Sequence, residues 1–134
     1  MLTNGEVDFG RDGTAGGTDR AIFDREHLQQ YTSGDTALER ELLGLFLGQF
    51  KPLRTQLAAA ASADDWKFAA HTLKGSARSI GAPQIGTVAE KLELIGFSAP
   101  EDAKAQVLVE LDLALAAFTA EAEKVATGLA RVNE

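Results

Sequence analysis

Apolar residues recur at spacings of three and four from about Ala21 almost to the end of the chain. This spacing places one apolar stripe along an α-helix, whereas a half-buried β-strand requires strict alternation with a period of two. No alternating segment of useful length interrupts the pattern. The sequence therefore predicts an all-α fold.

The first two predicted helices differ in length. We expect a short helix capped by Asp24. A long helix follows from Asp35 or Thr36, and Glu39 is placed to complete a capping box at its start. Pro52 falls inside this long helix and should bend or split it without abolishing it. The predicted buried stripe of the long helix contains Leu38, Leu42, Leu45, Phe46, Phe50, Leu53 and Leu57.

Three further helices are delimited by caps, prolines and glycines. The third starts within 62–65 and stops at Gly81, the fourth starts near Pro83 and stops at Gly96, and the fifth starts at Ser98 as its cap. The apolar faces of the last two helices are Ile85, Val88, Ala89, Leu92, Ile95 and Leu108, Leu111, Leu115, Phe118, Ala122, Val125. Four long amphipathic helices joined by short loops predict an antiparallel four-helix bundle, with the short helix packed at one end.

The start of the chain lacks this helical pattern. The segment from Met1 to Gly17 is polar and contains five glycines. We expect a flexible tail over 1–20 and one helical bundle domain over 21–134. The tail has no apolar segment typical of a signal peptide, and charges interrupt every later apolar run before the ~20 residues of a membrane span. A cytoplasmic location is therefore expected.

Composition limits the possible partners. The 134 residues include 13 Lys and Arg against 20 Asp and Glu, a formal net charge of -7. This balance argues against nucleic acid and anionic membranes, whose phosphates the chain would repel. The chain has no Cys, which excludes disulfides, thiolate metal sites and Cys nucleophiles. With 45% hydrophobic and 25% charged residues, it has the composition of an ordinary soluble domain.

The third helix separates into two faces when its residues are placed at about 100° intervals. His71 stands on one face, and the opposite face is apolar. We therefore expect the apolar face to pack in the core and the imidazole to be exposed. The predicted core-facing residues are Trp66, Ala69, Leu73, Ala77 and Ile80.

The neighbours of His71 on this helix suit phosphoryl chemistry. A neutral imidazole is a competent nucleophile near its usual pKa of about 6.5. Lys74, one turn away, is placed to supply positive charge to phosphoryl oxygens. Gly75 costs about 1 kcal/mol relative to alanine, so its lack of a side chain should serve the approach of a partner or a phosphoryl group. Close packing of another helix is the alternative reason for Gly75, and it requires a buried face.

The string His71-Thr72-Leu73-Lys74-Gly75-Ser76-Ala77, followed by Ile80-Gly81-Ala82, resembles the signature of histidine-containing phosphotransfer (HPt) domains of bacterial phosphorelays. The likeness covers roughly 23–125, because the order of helices also fits. It implies that His71 accepts a phosphoryl group from a receiver-domain aspartate and passes it to another receiver or back. It also implies that Lys74 assists the phosphoryl group and that Gly75 clears its path.

The resemblance implies a further residue on the fourth helix. HPt domains often have Gln or Glu there near the phosphorylated histidine, and Glu93 is at the matching position. Glu93 could orient the imidazole by hydrogen bonding, or it could be an ordinary solvated helix residue. Lys67 and Arg78 are expected to add to the positive field or to steer an acidic partner.

The expected partners are receiver domains of response regulators and of hybrid histidine kinases. A transient one-to-one complex should centre on Phe68, Gly75 and Ser79. Nothing in the sequence resembles an ATP site or the acidic cluster of a receiver, so we expect a carrier that is not an enzyme of its own. It should bind no cofactor, with Mg²⁺ supplied by the partner receiver, and it should be a monomer.

Two other function classes stay open. The exposed helix face could dock a receiver or kinase and inhibit it without taking phosphate. The chain could also be a general adaptor bundle in which His71 is incidental. His27 is interpreted as a half-buried packing residue. A di-metal bundle site is rejected, since neither His has a Glu three residues before it, where Asp24 and Phe68 stand.

Overall fold

The computed structural model describes residues 22–133, with side chains through residue 124. Within that range the chain is all-helical and contains no strand, so the all-α prediction is confirmed. The tail predicted over 1–20 lies outside the described residues, as does the side chain of Val125. The five helices are α1 Arg25–Thr32, α2 Thr36–Ala58, α3 Ala63–Ile80, α4 Pro83–Ile95 and α5 Glu101–Asn133.

The cap residues identified in the sequence set most of these boundaries. Asp24, Asp35 and Ser62 are the N-caps of α1, α2 and α3, and each side chain accepts a 3.1 Å hydrogen bond from the backbone N–H three residues further on. Gly81 ends α3 and Gly96 ends α4, with φ angles of 89° and 79°. Both angles lie in the region that favours glycine, which explains why the helices stop there.

The predicted start of α5 and the predicted capping box of α2 are wrong, although α2 starts at Thr36 as expected. Ser98 lies in a turn, and α5 begins at Glu101 directly after Pro100, whose fixed φ suits this position. Glu39 does not complete a capping box. Its side chain is 2% exposed and accepts hydrogen bonds of 2.9 and 3.0 Å from the Arg25 guanidinium, so that α1 and α2 are joined by an ion pair.

The core stripe of α2 differs from the predicted one. The helix is continuous through Pro52, so the alternative of a split helix is wrong. Leu45 was expected in the core, but its side chain is 64% exposed. Leu42 is only partly buried, whereas the unpredicted Leu43 is buried. The buried apolar side chains of α2 are Leu43, Phe46, Phe50, Leu53 and Leu57.

Helix α3 makes the most extensive contacts with other helices of the described chain. It packs against α4, α2 and α1, while α4 packs on α5 and α5 also contacts α2. On the surface, Arg54 of α2 donates hydrogen bonds of 2.8 and 3.1 Å to Asp112 of α5. Because α3 is held from three sides, side chains on its outer face are carried by a rigid element. The buried residues of α4 and α5 include Ile85, Ala89, Leu92, Val107, Leu111, Ala114, Phe118 and Ala122.

The chain enters α1 beside the end of α3. The backbone N–H of Asp24 donates a 2.7 Å hydrogen bond to the carbonyl of Gly81. A Cβ atom on Gly81 would collide with the backbone carbonyl of Asp24, so this approach requires glycine. Phe23 then packs edge-on against Phe118, with ring centroids 5.2 Å apart. None of the helices in the described range combines the length and the apolar character needed to cross a bilayer.

Candidate functional site

His71 lies in the middle of α3 on its outer face. The imidazole side chain is 67% exposed, so the predicted exposure is confirmed. The predicted core-facing residues are buried, as is Ala70 beside them. Because the opposite face of α3 is fixed in the core, His71 is presented to solvent by a helix that cannot easily rotate. The buried residues of α3 are Trp66, Ala69, Ala70, Leu73, Ala77 and Ile80.

Glu93 of α4 lies against the imidazole. Its Oε2 atom is 3.2 Å from Nδ1 of His71, within hydrogen-bonding distance. A second contact fixes how α3 and α4 are aligned here. The indole N–H of Trp66 on α3 donates a 2.8 Å hydrogen bond to the carbonyl of Leu92, the residue before Glu93 on α4. The sequence position of Glu93 thus corresponds to a real neighbour of His71.

Lys74 binds the other oxygen of the same carboxylate. Its Nζ atom lies 2.8 Å from Oε1 of Glu93, and both side chains are largely buried. The hydrogen bond from Lys74 holds the pKa of Glu93 below its ordinary value, and the contact with His71 acts in the same direction. Glu93 is therefore a carboxylate at neutral pH, with one oxygen on a cation and the other on the imidazole.

This arrangement distinguishes the two ring nitrogens of His71. A carboxylate only accepts hydrogen bonds, so we assign the ring proton of neutral His71 to Nδ1. The lone pair then resides on Nε2, which makes no hydrogen bond in the described part of the chain. The site can therefore offer Nε2 as a nucleophile while holding the proton on the other side of the ring.

The basic residues flanking His71 have different surroundings. Arg78 forms an ion pair with Glu90 of α4. Its aliphatic stem packs on Gly86, where an added Cβ atom would lie only 2.9 Å from the Arg78 Cγ atom. Lys67 is exposed and makes no ion pair or hydrogen bond with any residue that the structure describes. Helix α4 brings Glu90 and Glu93 to this face, and Asp64 of α3 lines the same depression as His71.

Gly75 stands one turn beyond His71 on open surface. No atom of another described element lies within 4 Å of the position where its Cβ would be, so the alternative of close helix packing is wrong. Gly75 and Ser79 border an apolar cavity of about 670 Å³ between α1, α2 and α3. Its other lining residues are Leu28, Tyr31, Leu42, Leu45, Phe46, Gln49, Ser76 and Ile80, and we call it the α2–α3 groove.

Sequence reasoning missed most of this groove. Leu45 and Tyr31 are exposed large apolar side chains on its rim, although Leu45 was assigned to the buried stripe of α2. Phe68 is likewise exposed, on the other side of His71. A leucine on the flank of a core stripe gives no signal of its own, because only the packing of α1 decides whether it is covered.

His27 is half-buried, with its ring centroid 5.5 Å from that of Tyr31, which agrees with a packing role.

Comparison with known proteins identifies one family. A family model described as Hpt domain matches residues 41–127, which is more than half of the chain. The matched segment runs from within α2 to within α5 and contains both His71 and Glu93. Searches of the curated proteins and of the solved structures gave no significant match.

Proposed function

The chain belongs to the Hpt domain family, whose members transfer phosphoryl groups in two-component phosphorelays, and on this premise we propose that His71 is its phosphorylated residue. The group would come from the aspartyl phosphate of a receiver domain and pass to another receiver or back. Hpt domains are carriers, in general without an ATP site of their own. The observation that carries the proposal is the exposed imidazole of His71, whose Nε2 atom is left free by the contact between Nδ1 and Glu93.

In the proposed step, the Nε2 lone pair of His71 attacks the phosphorus atom of the aspartyl phosphate. The N–P bond forms, the P–O bond to the aspartyl carbonyl group breaks, and the receiver carboxylate leaves with the electron pair. The ring keeps its Nδ1 proton and becomes a phosphoimidazolium cation. Transfer onward reverses these steps on a second carboxylate. Such chemistry depends on positioning and charge stabilisation more than on covalent help from the protein.

The carboxylate of Glu93 is placed to stabilise the positive charge that this step creates on the ring. As Nε2 takes up phosphorus, the charge on the ring develops next to the carboxylate, 3.2 Å from Nδ1. Lys74 holds that carboxylate through its other oxygen. We therefore assign Glu93 the role of orienting and stabilising the ring, and we assign Lys74 a positioning role that acts on Glu93.

Receiver docking is proposed for the surface around Gly75. The missing side chain leaves room for the partner to approach His71 along α3, and the α2–α3 groove offers apolar area beside it. Phe68 and Ser79 extend this surface on either side.

We propose that the five helices form an antiparallel four-helix bundle with α1 at one end, and that the chain acts as a cytoplasmic monomer. Mg²⁺ belongs to the partner receiver in this scheme, and the chain itself takes no cofactor.

The decisive experiment incubates the protein with receivers and hybrid kinases that carry labelled phosphate. We expect an acid-labile label on wild type and none on His71→Gln, with unchanged helical content by circular dichroism. If wild type takes no label while both forms inhibit a receiver, the chain is a docking module. If there is neither label nor inhibition, the phosphotransfer proposal is wrong and the face around His71 is incidental.

A further inference from the structure

The three basic residues that flank His71 on α3 are not equally available to a bound anion. Lys74 lies 2.8 Å from Glu93, and Arg78 is paired with Glu90. Lys67, one turn before His71, is exposed and has no ion pair or hydrogen bond within residues 22–124. It is therefore the flanking cation whose charge is not already shared with a carboxylate.

Lys67 and His71 line the same surface depression. Its volume is about 550 Å³, and its walls are formed by Asp64, Lys67, Phe68, His71, Thr72 and Glu93. Side chains of an α-helix lean toward its N-terminus, so the imidazole lies over the turn that contains Lys67. Residues four apart on a helix have Cβ atoms about 5–6 Å apart, a distance that a lysine side chain spans easily.

The charge in this depression shows why a free cation matters. A phosphoryl group brings up to about two negative charges. The carboxylate of Glu93 is already present, and Lys74 compensates it. Asp64 adds a second carboxylate in the first turn of α3, where the N-terminus of the helix favours a negative charge. The incoming charge therefore has Lys67 as its nearest uncommitted partner on this face.

We propose that Lys67, rather than Lys74 or Arg78, contacts the phosphoryl oxygens on His71. The inference rests on the proposed function, since it needs a phosphoryl group on Nε2. Lys67 then stabilises the group as it arrives and lengthens the lifetime of phosphohistidine. Lys74 acts through Glu93, and Arg78 stays bound to α4.

The test uses phosphoramidate, a small donor that has no protein surface to dock. In this reaction Nε2 of His71 attacks phosphorus, the P–N bond of the donor breaks, and ammonia leaves after taking up a proton. We compare wild type, Lys67→Met and Lys51→Met. Lys51 is the matched control because it is exposed on α2, it makes no ion pair or hydrogen bond in the described chain, and its loss changes net charge equally.

Lys67→Met should lower the labelling rate of His71 by about threefold and shorten the phosphohistidine lifetime, whereas Lys51→Met should match wild type. The difference should shrink in about 1 M salt, which screens charges beyond about 3 Å. Equal rates and lifetimes for Lys67→Met and wild type, or an equal loss in both variants, would overturn the role of Lys67 and leave His71 as the carrier. No label on wild type from phosphoramidate or any receiver would overturn the proposed function itself.

Discussion

Glu93 divides its carboxylate between a cation and an imidazole, and this division governs the chemistry of the site. Lys74 Nζ is 2.8 Å from one oxygen, and His71 Nδ1 is 3.2 Å from the other. A carboxylate in this position can fix the ring proton only while it is ionised. The charge state of Glu93 is therefore a measurable property of the site.

The pKa of Glu93 should lie below 4.5, its ordinary value, and Lys74→Met should raise it, because the hydrogen bond from Lys74 is the largest cause of the depression. A carboxyl group with a lowered pKa stabilises the fold above its ordinary pKa, and this contribution is lost as the pH falls through the lowered value. The stability of Glu93→Gln should therefore fall less than that of wild type as the solution is acidified below about pH 4.5. Carboxyl chemical shifts and urea unfolding at several acidic pH values measure the two effects. An ordinary pKa for Glu93 in wild type would contradict the geometry.

Substitutions of Gly75 should affect stability and phosphoryl transfer in opposite directions. Gly75→Ala adds a side chain in open space and removes the entropic cost of glycine, so unfolding should cost about 1 kcal/mol more. Gly75→Gln should slow transfer from a phosphorylated receiver by about tenfold or more, because its side chain stands in the approach to His71. Urea unfolding and single-turnover labelling measure the two effects.

Gly44 is the matched control for Gly75. It also stands within a helix, with no atom of another described element within 4 Å of its Cβ position, but it does not line the groove beside His71. Gly44→Ala should stabilise the fold by a similar amount, and Gly44→Gln should leave transfer unchanged. Equal transfer rates for Gly75→Gln and wild type would show that Gly75 does not keep the approach clear.

At the scale of elements, α2 and α5 share a feature that limited the sequence prediction. The core stripe of each helix starts with a charged residue, Glu39 in α2 and Lys104 in α5, and both are buried. Arg25 binds Glu39, while Lys104 donates a 2.9 Å hydrogen bond to the carbonyl of Phe97. A hydrophobic pattern passes over such positions, so the predicted stripe of α2 contained Leu38 and Leu42 where the structure buries Glu39 and Leu43. Arg25 and Phe97 lie outside these two helices, so the apolar pattern of each helix does not reveal their contacts, although Lys104 also pairs with Glu101 of its own helix.

The elements themselves were predictable for local reasons. Asp24, Asp35, Ser62, Gly81 and Gly96 act through the backbone within a few residues, so the sequence was enough to place them. The two faces of α3 were predictable for the same reason, because its apolar and polar residues separate cleanly. Contacts between helices could not be predicted from such local signals. The sequence alone did not predict that Lys74 would bind Glu93, since this depends on how α3 and α4 are aligned.

Arg25→Met should destabilise the protein by about 2 kcal/mol or more in urea unfolding, because it leaves the buried carboxylate of Glu39 without its cation. The double variant Arg25→Met with Glu39→Met should recover most of this loss, since an apolar pair then replaces two ions. Arg40→Met, an exposed change on α2 that removes no ion pair, is the control and should have little effect. A single variant as stable as wild type would show that Glu39 does not depend on Arg25.

At the scale of the whole molecule, α3 contributes both to the core and to the proposed functional site. Its inner face supplies the core and its outer face presents His71, while the α2–α3 groove lies between this helix and its neighbours. The groove is formed by three helices together, so its shape depends on the intact bundle. The proposed reaction centre instead needs α3 and α4. Docking and phosphoryl chemistry should therefore be separable by mutation.

Leu45→Glu provides that separation. The side chain is exposed on the rim of the groove, so the change should leave the fold stable. It should lower the second-order rate of transfer from a phosphorylated receiver by about tenfold, because a charge replaces apolar contact area. Labelling by phosphoramidate should be unchanged, since that donor does not dock. Leu113→Glu, an equally exposed leucine on α5, is the control. An unchanged receiver rate in Leu45→Glu would exclude the groove as the docking surface.

The hydrogen bond between Trp66 and Leu92 has a practical consequence. Trp66 is the only tryptophan of the chain, and it is 2% exposed. It joins the helix that bears His71 to the residue that precedes Glu93. The tryptophan fluorescence of the protein therefore comes from a single residue at the junction of the two helices that build the site. A shift in its emission on phosphorylation would report the state of His71 in real time, without radioactive phosphate and without a dye.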